Sequence, residues 1–474
     1  MTVTTTHAFT DDALANHDAV ALAALVRDGT LSAHEVATAA VARARAADAT
    51  LNAVVLDVYD AAIARSAASC SGPFAGVPTF IKDMIDVEGL PTRFGSEAFR
   101  AAAPAKRTDP LAAQMFEMGM LCLGKSTMPE IGLVPSTEFP GREPTRNPWN
   151  LERTAGGSSG GAAALVAAGV VPIAHTADGG GSTRIPAACC GLVGMKPTRG
   201  RLIPSANTGK QIVSIVVDGV VTRSVRDTAL YYAEAEKRHR NPALKPIGNV
   251  DRPLDRPLRI ATMTSLAGRG RLDEATQREF DATVVLLESL GHTLVPFEPA
   301  IDERLAEDFI VYWSLMAFAV TRGGKYTLGP SFERNQLTDV TRGLARRFKR
   351  NIAKAPGAIY RLRKSAAIHA KAFADFDVVL TPTLAQFSPP LGYLGMDLPY
   401  EVSFPRVEEW VCFTPYANAA GTPSLSLPLG HDEETNLPVG MLFGGHHGDE
   451  RLLLELALQL EQAQPWRTLA PASA

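Results

Sequence analysis

The stretch GGSSGGAAALVAAGVVPIAHTADGGGSTRIPAACCGLVGMKP, residues 156–197, decides both the fold and the chemistry of this chain. Two serines, Ser158 and Ser182, each sit among glycines in a segment otherwise built of small and apolar residues. Glycine lets a backbone approach a ligand closely and adopt conformations closed to other residues. A serine at such a turn is exposed, with backbone N–H groups around it. A nucleophile beside an oxyanion hole requires that arrangement.

Between the two serines, residues 160–168 read as a small-residue helix feeding a strand at 170–175, and residues 192–195 form a further apolar strand. Outward from there, residues 77–81 and 121–124 are short strands. Residues 258–262, 273–290 and 293–297 make a strand, an amphipathic helix and a strand. Later strands fall at 378–380 and 424–427, and a closing helix at 450–462. This alternation predicts an α/β fold, one sheet sandwiched between helices. No internal repeat is apparent.

Before the sheet, a helix over residues 18–28 ends at Gly29, a natural position for a left-handed cap. A second opens with Ser32-Ala33-His34-Glu35, a capping-box pattern, and runs through Ala47. Residues 1–10 read as disordered. Residues 237–257 carry Pro242, Pro246, Pro253 and Pro257 among charges and read as a surface excursion or linker.

The bulk numbers exclude several classes. At 474 residues the chain has room for about three domains of ordinary size, although large single α/β domains exceed that figure. A formal charge of −3 gives no affinity for polyanions, so no nucleic-acid partner is expected. The basic cluster Arg342, Arg346, Arg347, Lys349 and Arg350 reads as the solvated face of a helix. Five irregularly spaced cysteines, Cys189 and Cys190 adjacent, fit reduced thiols better than zinc ligation or disulfides. The N-terminus lacks the regions of a signal peptide, and no apolar run reaches the ~18 residues of a membrane span. The expected compartment is the cytoplasm, with no membrane partner.

Two pattern matches fail on physical grounds. Gly119-Met-Leu-Cys-Leu-Gly124-Lys125-Ser126 fits the P-loop expression. A phosphate cradle needs a pliable loop between its glycines, yet here Met120–Leu123 reads as the strand itself, and Met128-Pro129 interrupts the helix that should follow. Gly156-Gly157-Ser158-Ser159-Gly160 fits the nucleophile elbow of α/β-hydrolases, with Asp375 or Asp377 and then His446 or His447 in the required order. An elbow needs a hydrophobic strand running into the serine. The residues before Ser158, NPWNLERTAG, read as a loop, and Ser182 stays unexplained.

The third reading joins three segments. Phe80-Ile81-Lys82-Asp83 puts a lysine at the end of an apolar strand, where burial lowers its pKa. Lys82 after GVPTFI, the GGSSGG run, and DGGGSTRIPAACCGLVGMKPTRGR together closely resemble the amidase signature family. The resemblance is strong from about Gly76 to Arg201. It extends more weakly through the N-terminal helices and to Asn418-Ala-Ala-Gly-Thr-Pro-Ser-Leu-Ser-Leu-Pro. It implies one amidase domain over 1–474, with an N-terminal helical segment at 1–70 and a signature core at 71–225, built on a large mixed, twisted sheet covered by helices on both faces.

The resemblance also implies a Ser–cisSer–Lys triad. Ser182 is the implied nucleophile, Lys82 the ultimate base, and Ser158 the bridging serine after a cis peptide bond from Gly157. The N–H groups of Gly179, Gly180, Gly181 and Ser182 are the implied oxyanion hole. Asp178 and Arg184 read as buried scaffold partners, and Ser159 as a hydrogen-bonding member of the network. Lysine starts near pKa 10.4, so a neutral amine at pH 7 needs a depression of roughly 3 units, about 4 kcal/mol. The family chemistry needs no metal and no organic cofactor. One departure stands out: many members carry a hydroxyl or amide five positions before the nucleophile, where this chain has Ala177.

Specificity is less legible. Residues 128–138, beginning with Met128, those near Tyr312–Phe318 and those at 410–413 are the expected acyl-pocket segments. Their aromatic and apolar character suggests an uncharged aliphatic or aryl acyl group on a small-molecule amide; Tyr312 and Trp313 read equally as core. GREPTRNPWN with His175 looks most like the branch of cyclic nylon-oligomer hydrolases and urethane-cleaving amidases, which extends the expectation to carbamates and esters. The alternatives are a glutamyl-tRNA amidotransferase A-like subunit, whose motif normally has glutamine in place of Ile185, and a non-hydrolytic family member. Monomer and homodimer both remain open.

Overall fold

A computed structural model describes residues 3–68, 70–206, 209, 211–266, 269–299 and 301–470. Its centre is a mixed eight-stranded sheet. In spatial order the strands are Thr293–Pro296, Arg259–Thr262, Val378–Pro382, Leu437–Gly444, Ser424–Asp432, Val193–Lys196, Val217–Thr222 and Ile173–Asp178. The first three run parallel and the remaining pairings are antiparallel. A three-stranded sheet, in the order Val54–Asp57, Leu121–Ser126, Pro78–Lys82, abuts its far edge. Thr79 Oγ1 donates to Ile173 O at 3.0 Å and the Lys82 N–H to His175 Nδ1 at 3.3 Å, so Pro78–Lys82 lies alongside Ile173–Asp178.

Helices cover both faces. Gly430 pairs with Val439 across the hairpin, so their side positions share a face, and a Cβ at Gly430 would meet Glu279 of the helix Glu274–Ser289. Gly440 points the opposite way, and a Cβ there would lie 2.5 Å from that of Ala188, in the helix Arg184–Cys190. Only glycine lets that helix settle onto the sheet. The fold is therefore the expected helix-covered α/β sheet.

Local signals set most elements. Ser32 caps Ala33–Leu51 with Glu35 in a full capping box, and the helix runs four residues past Ala47. Asp18 caps Ala19–Arg27 and Asp273 caps Glu274–Ser289, each accepting a bond from the first turn. The strand placed at 170–175 begins later and reaches Asp178, because Val170 and Val171 serve the turn after the helix Gly160–Ala167. Leu437–Gly444 is a strand that its Pro438 and Gly440 hide from a propensity reading. No helix among the described residues is long and apolar enough to cross a membrane.

Two loose-looking segments are pinned. Residues 3–10 form no helix or strand, yet Thr6 N–H donates to Pro148 O at 3.0 Å and Ala8 N–H to Ala168 O at 2.7 Å. The Phe9 ring is buried between Arg43 and Arg223. The expectation of disorder is corrected there; residues 1–2 lie outside the described residues. The helix Val225–Arg238 absorbs the start of 237–257, and the rest is irregular chain with Leu244, Ile247, Val250 and Leu254 buried. Its anchor is Arg201, which donates to Glu450, to Glu236 and to Lys245 O, while Glu236 accepts from Ile247 N.

Removing one member of a buried ionic cluster leaves the others uncompensated. Arg201→Ala is expected to lose about 3–5 kcal/mol in urea unfolding. It should also open 239–257 to limited proteolysis; unchanged stability would show that this cluster holds nothing.

Candidate active site

The carboxyl ends of Pro78–Lys82 and Ile173–Asp178 meet the start of the helix Gly160–Ala167, and three distant segments converge there. Lys82 closes a strand that is buried at every residue and is itself 1% exposed. Its Nζ donates to Ser158 Oγ at 2.7 Å, Ser159 Oγ at 2.8 Å and Ala177 O at 3.3 Å. Burial pushes the Lys82 ammonium down to about 7, against a smaller upward pull from Asp178 and Asp218. No carboxylate touches this amine among the described residues. Ala177, the departure noted in the sequence, thus contributes its backbone carbonyl.

The Gly157–Ser158 peptide is cis. A Cβ at Gly157 would lie 2.9 Å from the backbone of Pro135 and Ser136, so only glycine fits before Ser158. Gly132 presses on the other side: a Cβ there would lie 3.1 Å from Ser158 Oγ. The turn that presents Gly132 is strained, with Ile131 at φ +55°, where a β-branched residue is a true outlier. Buried Glu130 holds the turn by accepting bonds from Ser96 Oγ, Thr338 N, Thr338 Oγ1 and Thr341 Oγ1.

Ser182 follows the three glycines and opens the turn into the helix Arg184–Cys190. The loop is clamped by Asp178, which accepts from Arg184 Nε at 2.9 Å and Nη2 at 2.8 Å, Gly181 N at 2.8 Å and Thr183 N at 3.2 Å. Burial would raise this carboxyl, but the Arg184 charge and hydrogen bonds hold it well below the usual carboxylate range. Asn418 completes the clamp, giving Nδ2 to Asp178 and accepting Arg184 Nη2 at 2.6 Å; Thr414 Oγ1 donates to Gly180 O at 2.7 Å.

These bonds revise one expectation. The Gly181 N–H is committed to Asp178, so Gly181 serves the loop through its backbone: φ is +132°, and a Cβ would collide with Thr414 Oγ1. The N–H groups of Gly179, Gly180 and Ser182 engage no protein acceptor among the described residues. Nor does the Ser182 hydroxyl, which makes no hydrogen bond to Ser158; both serines open onto one cavity.

That cavity has a volume of about 980 Å³ and also bears Lys82, Tyr312 and Trp313. A second, of about 130 Å³, starts at Ser182 and Gly180 and runs between Ile185, Phe309 and Tyr416. Of the expected pocket segments, residues 131–135, Tyr312, Trp313, Leu315, Met316, Val411 and Cys412 line one or both. Met128 does not: it is 1% exposed and packs behind Gly132. Tyr312 is both wall and scaffold, its hydroxyl accepting Val213 N at 2.8 Å and donating to Val213 O. Trp410 is core, its Nε1 donating to Gln386 O.

The rejected patterns resolve structurally. Lys125 lies within the strand Leu121–Ser126, donating to Pro91 O and Thr92 Oγ1 and lying 3.5 Å from Asp83 Oδ1. The residues before Ser158 do include a strand, Asn150–Thr154, but it belongs to a small polar hairpin and not to the core sheet. No histidine bonds to either serine among the described residues; His446 Nε2 donates to Phe376 O. Sequence reasoning missed Phe309 and the pocket role of Tyr416, and it gave Gly132 only within the pocket segment 128–138 and Asn418 only as the start of the tail segment, without the roles seen here. His175, read from sequence only as a mark of the branch, accepts the Lys82 N–H at Nδ1, and its Nε2 lies 3.4 Å from Asp218 Oδ1.

Comparison with known proteins gives a consistent picture. A family model described as Amidase matches residues 35–454. A Mycobacterium tuberculosis (strain H37Rv) protein named "Putative amidase AmiC" is 44% identical, covering 97% of each chain. The 6-aminohexanoate-cyclic-dimer hydrolase of a Pseudomonas species is 31% identical over 96% of each. A solved 6-aminohexanoate cyclic dimer hydrolase superposes with a TM-score of 0.86 at 29% identity, covering 95% of this chain and 97% of the other. A bacterial aryl acylamidase superposes with a TM-score of 0.81 at 26% identity, covering 95% and 96%.

Gly132→Ala tests how tightly the site is packed. The new Cβ crowds Ser158 Oγ at a φ of +69°, so kcat should fall at least about tenfold for a stability loss of about 1 kcal/mol. Unchanged turnover with normal folding would contradict the packing described.

Proposed function

Because this chain belongs to the amidase family and is an amide-hydrolysing enzyme, we propose that it acts through an acyl-enzyme on Ser182, with Ser158 and Lys82 as its proton relay. The observation that carries this reading is the Lys82 amine, desolvated and 2.7 Å from Ser158 Oγ. A neutral amine has two hydrogens and one lone pair. The ammonium gives its three hydrogens to Ser158 Oγ, Ser159 Oγ and Ala177 O; the neutral amine keeps the last two acceptors and receives the Ser158 hydroxyl on its lone pair.

Lys82 then accepts the Ser158 proton as Ser158 takes one from Ser182. The Ser182 Oγ attacks the amide carbon, and the carbonyl π pair moves to oxygen. The N–H groups of Gly179, Gly180 and Ser182 hold that oxyanion, each donor worth about 2.7–4 kcal/mol. As the C–N bond breaks, Ser158 returns a proton to the nitrogen and is reprotonated by Lys82. Water cleaves the acyl-enzyme along the same path. The relay needs the Ser182 hydroxyl to close on Ser158 when substrate binds; catalytic hydrogen bonds commonly tighten at that step.

The apolar cavities support small uncharged aliphatic or aryl amides as substrates. The same chemistry extends to carbamates and esters, whose carbonyls accept the same attack. Likeness to the cyclic-dimer hydrolase and the aryl acylamidase fits this range. The complete Lys82–Ser158 contact favours hydrolysis over a non-hydrolytic role, and apolar Ile185 on the wall of the smaller cavity disfavours a glutamine-handling one.

Ser182→Ala and Lys82→Met should each lose about 10⁴-fold or more in kcat with folding intact. Ser182→Ala should also escape fluorophosphonate labelling; a variant that still labels or turns over removes Ser182 as nucleophile. A lowered lysine pKa leaves the base active above it, so kcat/KM should rise about tenfold per pH unit below pH 7 and level off above. A profile that climbs to pH 10 would contradict a neutral Lys82.

A further inference from the structure

Ser182 stands where the two cavities meet, and they differ in size and in chemistry. Leu133 and Trp313 line both and form the rib between them, with Trp313 Nε1 donating to Leu133 O at 3.1 Å. The larger cavity carries Lys82 and Ser158. It rises past Met316 to Ile212 and Tyr326, two apolar side chains exposed at its mouth. The smaller cavity touches Ser182 but neither Lys82 nor Ser158. Phe309 roofs it, stacked on Trp313 at 5.9 Å and close over Gly180. Its two charged residues, Arg269 and Glu408, lie 3.7 Å apart and compensate each other.

An amide bound at Ser182 must put its acyl substituent in one cavity and its nitrogen substituent in the other. The leaving nitrogen has to receive a proton as the C–N bond breaks. Resting on the relay proposed above, Ser158 delivers it, so the nitrogen lies on the Ser158 side. With the substrate reversed, nitrogen would leave on the side that neither Ser158 nor Lys82 borders. Size then sets the substrate class, since an apolar cavity of about 150 Å³ takes one benzene ring.

We infer that the smaller cavity is the acyl chamber and the larger the amine chamber. The enzyme therefore selects amides that join a compact, uncharged acyl group, about one ring or six heavy atoms, to a much bulkier apolar amine. Phe309 sets the acyl limit, and Met316 borders the amine route.

Two matched anilide series on the full-length enzyme test this. In one, acyl groups from acetyl to dodecanoyl are carried on 4-methylaniline. In the other, hexanoyl is carried on 4-alkylanilines from methyl to octyl, of matched basicity. We expect kcat/KM to peak near hexanoyl or benzoyl and fall about 100-fold by dodecanoyl, with less than about tenfold change across the amine series. Phe309→Ala should move the acyl optimum to longer chains and leave the amine profile in place; Met316→Trp should steepen the amine profile alone. A steep amine series with acyl indifference, or variants acting on the opposite series, overturns the assignment. So does failure to cleave either series by enzyme that still reacts with fluorophosphonate. Ser182→Ala separates the two readings: if it still hydrolyses, the catalytic reading falls, and if it is inactive while wild type shows the inverted pattern, only the orientation falls.

Discussion

Everything at this site depends on a lysine amine held away from water with no carboxylate in contact. Three buried lysines among the described residues show what that means. Lys125 is 3.5 Å from Asp83 and gives its hydrogens to Pro91 O and Thr92, so its charge has a partner and its role is to tie strand to loop. Lys196 is pushed well below its usual range by burial and by Arg184, and its Nζ rests on Pro197 O. Lys82 alone of the three bonds to a serine that shares a cavity with Ser182. Relative to a solvated lysine at 10.5, an amine near 7 costs about 4 kcal/mol of folding stability at neutral pH. That cost has a function only if the amine works as a base.

The complementary constraint lies on the other wall. Asp178 spends its oxygens on Arg184, Gly181, Thr183 and Asn418, which fixes the glycine turn without offering a charge to the cavity. Negative charge stays on a carboxylate that is already neutralised, so the oxyanion position keeps its donors. The same division separates the two chambers: proton-transfer groups line one, and apolar side chains with a compensated ion pair line the other.

Much of this was legible in sequence because the relevant physics is local. The glycine runs, the small-residue helix and the apolar strand ending in Lys82 sit within contiguous motifs, and caps at Asp18, Ser32 and Asp273 set helix starts. What escaped is assembled from afar. Asn418 and Thr414 reach the glycine turn from residues near the C-terminus, and Phe309 reaches the cavity from the long helix Arg304–Thr327. Met128 was misplaced because its apolar character suits a pocket wall and the core behind it equally, and the tight approach of Gly132 decided between them. Gly181 was misread because its N–H serves Asp178, a bond that sequence spacing alone does not reveal. Residues 3–10 lack any periodic pattern, and their order comes from bonds to Pro148 and Ala168.

The whole site requires a Lys82 amine that is substantially uncharged near neutrality, about half of it at pH 7. Nitrogen and carbon chemical shifts of selectively labelled lysine, assigned by comparison with Lys82→Met and followed through a pH titration, read that charge without recourse to any substrate. The Lys82 midpoint should lie close to 7, far from those of the solvated lysines. A midpoint near 10, with the ammonium intact throughout the neutral range, would contradict it.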